Sequence, residues 1–589
     1  MFRGFGRGLV VAASVAGMAG ALSGQNNAPA PSASLQSTSR LVLIDVVVTE
    51  GNRAALGLGK DRFRVMEDGK ERPIVSFEEH HADPQAKRPV AVALPPHIYS
   101  NAATYPAGQA VNVLLLDGLN TPVSDQVRVR QQMLDYASKL SPTAPMAIFT
   151  LGTRLQLLAG FTTDPSVLAE ALKHPSNVSK PSVLEDSNAF TPLANQMPSV
   201  TTPNSPGAAA AQAASQFLAN RAAFEMDARV AMTLGALQEL ARYLSGIPGR
   251  KNLIWFSGSF PIALDVDRSL PDSFNEVRSY RDQVRETDAV LSEARVAVYP
   301  VDARGILSLP GFDVAYKTPT LGPGAEASGL NSPVEMENKK FSTQQITEHA
   351  SLEDVALDTG GRAFKGANDL QDALAKAIED GSSYYTITIA PAAGKADEKF
   401  HKLKVAVSGG SYQLAYRRGY VASANKSATE DAALQAAIER GAPPATQIVV
   451  QARVLPASDA EFAKDARIAS APGGEMSAKL PASKQRYVVD MRVDVGTLRF
   501  DTDSDGVRQA KVEMTMIAYD ADGKRVNLVD QAFPLKLTEA EYKQLRAPGL
   551  AIRSLIDVPA GPATLRIAVR QVVPERIGSF EVALGTGGK

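Results

Sequence analysis

The sequence predicts an α/β fold: a doubly wound, mostly parallel sheet, with a small β unit before it and a β-sandwich after it. Three observations carry that prediction. The run Val111–Leu116 is apolar without alternation and stops at Asp117, the pattern of a strand buried on both faces. From 107 to 424 such runs alternate with helical stretches across short turns, which implies a parallel sheet with helices on both faces. From Gln447 onward the pattern turns to short strands separated by turn signals.

At 589 residues the chain is too long for one ordinary domain, and about three or four are expected. Its 44% hydrophobic and 21% charged residues are those of a globular protein. A formal net charge of −1 gives no global electrostatic case for nucleic acid or an anionic membrane as partner. The absence of cysteine excludes disulfides, thiolate catalysis, zinc–thiolate sites and a lipid-modified cysteine.

The chain opens on Arg3 and Arg7 followed by an apolar, small-residue run from Gly8 to Leu22, with Ala21-Leu22-Ser23 as a cleavage signal. Residues 1–23 therefore read as a signal peptide, and the protein as exported to the periplasm, the outer surface or the medium. No later run has the roughly 18 apolar residues of a transmembrane helix. Residues 24–39, rich in Asn, Ala, Pro, Ser and Gln, read as a disordered lead.

The small β unit spans 40–83. Its strands are Leu41–Thr49, Phe63–Glu67 and Ile74–Glu78, with Asp68-Gly69 as a hairpin turn. A unit this small is near the lower limit of independent stability and is expected to lean on a neighbour. A linker, 84–106, leads to the α/β domain at 107–424. There the helix Ser124–Leu140 follows Asp117. Met146–Gly152 is a buried strand, Arg154–Phe161 an antiparallel edge strand, and Ser166–Leu172 a helix. The amphipathic stretch Phe224–Leu244 leads into the strand Asn252–Ser257. The charged stretch Tyr280–Arg295 precedes the strand Arg295–Val301, and Ser351–Thr359 and Leu370–Ile378 are the last helices. Tyr384–Ala390, Lys402–Val407 and Tyr412–Tyr416 are expected to extend the same sheet. Two insertions, 175–214 and 307–340, read as loops. A helical linker at 425–446 leads to the C-terminal β-sandwich, 447–589, expected to be immunoglobulin-like.

Leu114–Thr121, Val298–Gly305 and Tyr412–Tyr420 resemble a bacterial family of von Willebrand factor type A-related proteins, first noticed in acidobacteria. Lys60-Asp61-Arg62-Phe63 and Glu67-Asp68-Gly69-Lys70 resemble the segment that precedes the type A domain in that family. The resemblance implies a metal-ion-dependent adhesion site, built on Asp-x-Ser-x-Ser after the first strand, in degenerate form. Asp117 fills the first position and Thr121 the fifth, while Leu119 stands at the third and cannot ligate. Ser257 occupies the strand end where the family has a second carboxylate, and Thr233 is a candidate for the family's loop threonine. Asp302, at the end of another strand, could compensate as a ligand. The resemblance thus implies Mg²⁺ or another divalent cation at Asp117, Thr121 and Asp302, bound weakly because a hard cation wants several oxygen ligands. The residues alone leave a second reading, in which Asp117 caps the following helix and accepts backbone N–H bonds.

Other constellations are weaker. His80-His81 with Asp83 has no partner ligand at a recognisable spacing and reads as a solvated linker. Asp501-Thr502-Asp503-Ser504-Asp505-Gly506 copies half a calcium loop, but Val512 stands where the closing Glu belongs, so an acidic β-turn is expected. His97, His174, His349 and His401 are scattered, without an acid partner at a telling spacing. No catalytic motif stands out, and the chain reads as a non-enzyme. The resemblance implies adhesion-type contact with a protein or an envelope matrix ligand through the Asp117 face. The alternatives are an envelope scaffold without metal-dependent binding and an envelope-polymer hydrolase.

Overall fold

The computed structural model describes residues 41–585 with internal gaps, the longest at 82–93, 174–205, 265–277 and 306–332. The signal-peptide and lead segments, Asp83 and His174 lie outside the described residues.

In chain order the first strands are β1 (Val42–Glu50), β2 (Phe63–Glu67) and β3 (Ile74–His80). The central unit then runs β4 (Val111–Asp117), α1 (Val123–Lys139), β5 (Met146–Leu151), β6 (Leu155–Thr162), α2 (Pro165–Lys173) and α3 (Pro206–Leu244). It continues with β7 (Lys251–Ser257), α4 (Arg281–Glu293), β8 (Val296–Asp302), α5 (Pro333–Thr359) and α6 (Leu370–Ser382). After it come β9 (Tyr384–Ile389), β10 (Phe400–Val407), β11 (Gln413–Ala415) and β12 (Gly419–Val421).

The central sheet has the order β8-β7-β4-β5-β6, parallel except for the antiparallel edge strand β6. Successive residues of each strand feed opposite faces. Val113, Leu115, Phe149, Trp255 and Val298 pack with α3, α4 and α5. Leu114, Ile148, Phe256, Tyr299 and Val301 pack with α1, α2 and α6. Two separate cores on one sheet explain why these strands read as continuous apolar runs. Local chemistry sets the element ends. Pro165 opens α2 at the first helical position, and the carboxylate of Asp164 accepts the N–H of Ser166 at 2.8 Å.

The three strands expected to extend this sheet do not. β9 pairs antiparallel with β1 and β3, with Ile387 opposite Ile44, and β11 joins the other side of β1. β10 pairs with β2 and β12. The small N-terminal unit is therefore completed by residues more than 300 positions away, such as Thr386, which donates to Asp45 across 341 residues. The resulting two sheets close over Ile44, Val46, Phe63, Val65, Ile387 and Val405. The physical reason is visible in β10, whose residues alternate between exposed and covered. One solvated face suits a sandwich and not the middle of a two-faced sheet. Asp68 and Gly69 both have positive φ, 49° and 79°, as the tight turn between β2 and Lys70–Arg72 requires.

Two expected loops are partly helical. Residues 206–214 belong to α3 and residues 333–340 to α5. The C-terminal region forms two antiparallel sheets, one with Val450–Pro456, Lys484–Val493 and Leu550–Pro559, the other with Arg508–Tyr519, Arg525–Leu537, Ala563–Gln571 and Arg576–Leu584. Their inner faces share one core that includes Val489, Ile556, Met516 and Ile567. The expected linker contributes Ile98–Ser100 as an edge strand beside Val450–Pro456. A short 3₁₀ turn, Val495–Thr497, follows Lys484–Val493. The Asp501–Gly506 stretch is a hairpin turn, in which the Asp503 carboxylate accepts the N–H groups of Asp505 and Val507 and the Gln509 amide.

The units dock chiefly at the amino ends of the parallel strands, with one further contact at the carboxyl edge, where Arg154 of the β5–β6 turn donates to the Arg440 carbonyl. Arg295, just before β8, donates from Nε and Nη2 to both oxygens of Asp45 on β1. Arg250, just before β7, donates to the Tyr299 hydroxyl and to the Gly360 carbonyl, and its backbone N–H donates to the Tyr384 hydroxyl of β9. On the C-terminal side, Thr446 donates its N–H to the Arg242 carbonyl and its hydroxyl to that of Tyr243, at the end of α3.

Candidate functional site at the carboxyl edge of the central sheet

The sheet changes winding direction between β4 and β7, and open α/β sheets bind ligands at the carboxyl ends of strands at such a point. Asp117 ends β4 there and Ser257 ends β7. Both are buried, Asp117 at 2% exposure and Ser257 at 0%.

The Asp117 carboxylate sits in a cradle of neutral donors. Its Oδ1 accepts the Asn120 backbone N–H at 2.9 Å. Its Oδ2 accepts the Asn120 side-chain amide at 2.8 Å, the Ser257 hydroxyl at 2.8 Å and the Trp255 indole N–H at 3.1 Å. Asn120 also donates to the Thr233 hydroxyl on α3, which in turn donates to the Arg229 carbonyl. Thr121 accepts the N–H of Gly258 at 2.9 Å. A Cβ at Gly258 would stand 2.8 Å from the Asn120 carbonyl oxygen, so only glycine lets the end of β7 approach the β4–α1 turn this closely. Burial pushes the Asp117 carboxyl above its ordinary range, and the bonds from Asn120, Ser257 and Trp255 pull against that rise.

Of the residues expected to hold a cation, Asp117 and Thr121 share this corner, and Thr233 and Ser257 come to it as well. Leu119 turns into the apolar core beside Leu115 and Trp255, at 0% exposure. Asp302 lies at the end of β8, opposite Ser257 in the strand register, with its own partners. Its oxygens accept Nε and Nη2 of Arg304, and His349 Nε2 lies 2.7 Å from Oδ2. Arg304 also reaches Glu348 at 2.7 Å, and Arg128 donates to the Ala303 carbonyl. Among the described residues no group of three or more acidic or histidine side chains is arranged to hold a metal ion. The donor set around Asp117 does not fit a divalent cation, because N–H and O–H hydrogens already face the carboxylate lone pairs.

Two residues of the cradle escaped sequence reasoning. Asn120 falls on a position the adhesion pattern leaves free, and Trp255 reads simply as core. The histidines were read as lacking acid partners, yet His349 meets Asp302 across 47 residues and His401 meets Asp68 across 333, each at 2.7 Å. His80 stacks on Tyr384 with centroids 4.6 Å apart.

α3 and α5 both run back toward the amino ends of the strands, so their N-terminal turns lie toward this edge. At 39 residues α3 is about 58 Å long, against about 23 Å for a seven-residue strand. Its first half carries exposed Phe217 and Phe224, and the first half of α5 carries exposed Ile346. Among the described residues no helix is long and apolar enough to cross a membrane.

No protein-family model matches the chain, and no curated protein matches it. Solved structures similar to it include an aerotolerance-related membrane protein from Bacteroides fragilis, 9% identical over 46% of this chain and 98% of that one, with a TM-score of 0.21. A conserved protein named BatB from Bacteroides thetaiotaomicron is 11% identical over 46% of this chain and 97% of its own, with a TM-score of 0.19. The PilB minor pilin of Streptococcus sanguinis is 8% identical over 46% and 60%, with a TM-score of 0.22. At these values the likenesses carry no argument about function.

Proposed function

We propose that the chain is an exported, non-enzymatic contact protein of the cell envelope, whose α/β unit is of the von Willebrand factor type A kind and meets a protein or matrix partner with its carboxyl edge. The immunoglobulin-like reading of the C-terminal sandwich belongs to the same proposal. One observation carries it. The docking contacts of Asp45, Tyr384 and Thr446 fall at the amino ends of the parallel strands and at the end of α3, while Asp117, Ser257 and Asp302 take their named partners from the α/β unit itself. Apart from the β5–β6 turn, where Arg154 donates to the Arg440 carbonyl, the carboxyl edge is thus left to meet a partner, with Phe217, Phe224 and Ile346 exposed near it.

The experiment is site-specific photocrosslinking in the producing cell. A photoreactive residue at Phe224 or Ile346 is expected to capture one discrete partner, and one at exposed Lys524 in the C-terminal sandwich is not. Equal capture from all three positions, or none from the edge, would sink the proposal. The second reading is a rigid envelope scaffold, which the partly buried ionic dock at Asp45 favours. It predicts no exchangeable partner at Phe224 or Ile346. The hydrolase reading gains nothing from the described residues, whose carboxylates at this edge are held by protein donors.

A further inference from the structure

We infer that the Asp117 corner is closed to divalent cations and that Asp117 is a positioning residue, an internal anchor held by Asn120, Trp255 and Ser257. The inference concerns the same edge as the contact reading but stands or falls without it, because its readouts need no partner.

The orientation of Asn120 decides the matter first. Its Nδ2 lies within hydrogen-bond distance of both Asp117 Oδ2 and Thr233 Oγ1. The Thr233 hydroxyl spends its hydrogen on the Arg229 carbonyl. Turning the amide over would set its oxygen against two acceptors, so the amide must present hydrogens to the site. Trp255 presents an indole N–H, which has no lone pair for a metal under any rotation. An ion at Asp117 would face the positive ends of these dipoles. It would also find the carboxylate's Oδ2 committed to three donors. The chemistry of an adhesion-type cation site is replaced here by hydrogen bonds that tie the β4–α1 turn to β7 and to α3.

Trp255 is the only tryptophan of the chain and touches Asp117 directly, so its fluorescence reports this corner alone. Mn²⁺ bound at Asp117 would quench it. Titration of the full-length protein with Mn²⁺ at up to millimolar concentration is expected to give no saturable quenching. Thermal melting is expected to be the same in chelator, Mg²⁺, Mn²⁺ and Ca²⁺. Saturable quenching in the wild type that Asp117→Asn abolishes would overturn the inference. A Ser257→Asp variant supplies the complementary test. It removes a donor and sets a second carboxylate beside Asp117, a pair that only a shared proton or a cation can relieve. Its melting temperature is expected to fall in chelator and to recover several degrees with Mn²⁺. A folded variant as indifferent to Mn²⁺ as the wild type would overturn the role given to Ser257. Where that variant does not fold, the wild-type quenching decides.

Discussion

Asp45, partly buried, and Asp117, fully buried, are carboxylates near opposite ends of the central sheet, and they are held in opposite ways. Asp45 faces the bidentate guanidinium of Arg295 and the hydroxyl of Thr386. Burial alone would push its carboxyl up, but the charges of Arg295 and Arg250 and the hydrogen bonds from Arg295 and Thr386 outweigh that and hold it below the usual range. Asp117 meets neutral donors, and burial prevails. The first arrangement joins two folded units by ion pairing. The second pins a turn within one unit and leaves its charge without a counter-ion. Geometry of the donors, more than depth of burial, decides which kind of site a buried acid becomes.

The contrast can be broken by substitution. Asp45→Asn removes the counter-ion of Arg295 in a partly buried dock and is expected to cost the most, about 3 kcal/mol by urea denaturation. Lys251 belongs to the same end of the sheet. Its ammonium is 2% exposed, donates to the Ala294 carbonyl, and is pushed down to about 7 by burial and by the charge of Arg295. The folded protein therefore binds fewer protons than the unfolded chain between about 7 and the ordinary lysine value of 10.5, and wild-type stability gains from this group as pH rises through that window. Lys251→Met should flatten that slope, by up to a few kcal/mol across the window. Urea midpoints collected across it would test this.

Asp117→Asn keeps one acceptor oxygen and is expected to cost less, about 1–3 kcal/mol. Equality with Asp45→Asn would mean that Asp117 too is held by charge. The two acids also differ in the sign of their pH dependence. The contribution of Asp45 is present above the unfolded value of 3.8 and is lost as pH falls through its lower folded pKa. That of Asp117 runs the other way, because a raised folded pKa makes stability fall as pH rises from 3.8 through it. Acid-range stability curves of the two asparagine variants should therefore diverge from the wild type in opposite directions. Ser257→Ala keeps the Cβ and removes only the hydroxyl that donates to Asp117, at an expected cost of about 1 kcal/mol, the smallest effect of the series.

Much of the architecture was legible because each central strand must satisfy two apolar faces, and Val111–Leu116 and Asn252–Phe256 say so residue by residue. The hairpin turn at Asp68-Gly69 announced itself too. Pairing over long distance was not legible. β9, with buried Tyr384, Tyr385, Ile387 and Ile389, reads like another parallel strand, and only the alternation in β10 argued for a solvated face. At the candidate site, motif comparison found Asp117, Thr121, Thr233 and Ser257 as positions. It could not tell that Asn120 and Trp255 would turn their N–H groups inward, because a side chain's direction is set by neighbours distant in sequence.

The pairing of β1 and β3 with β9 has a kinetic side. His80 stands opposite Tyr384 in that sheet, and the whole α/β unit lies in the chain between them. A chain emerging from its N-terminus would present β1 to β3 with their partners still to come, and the first sandwich could close only after the central unit had been made. Such nonlocal pairing slows folding and leaves strand edges open meanwhile. A folding experiment on this protein should therefore show the central sheet acquiring protection from hydrogen exchange before β1, although β1 comes first in the sequence.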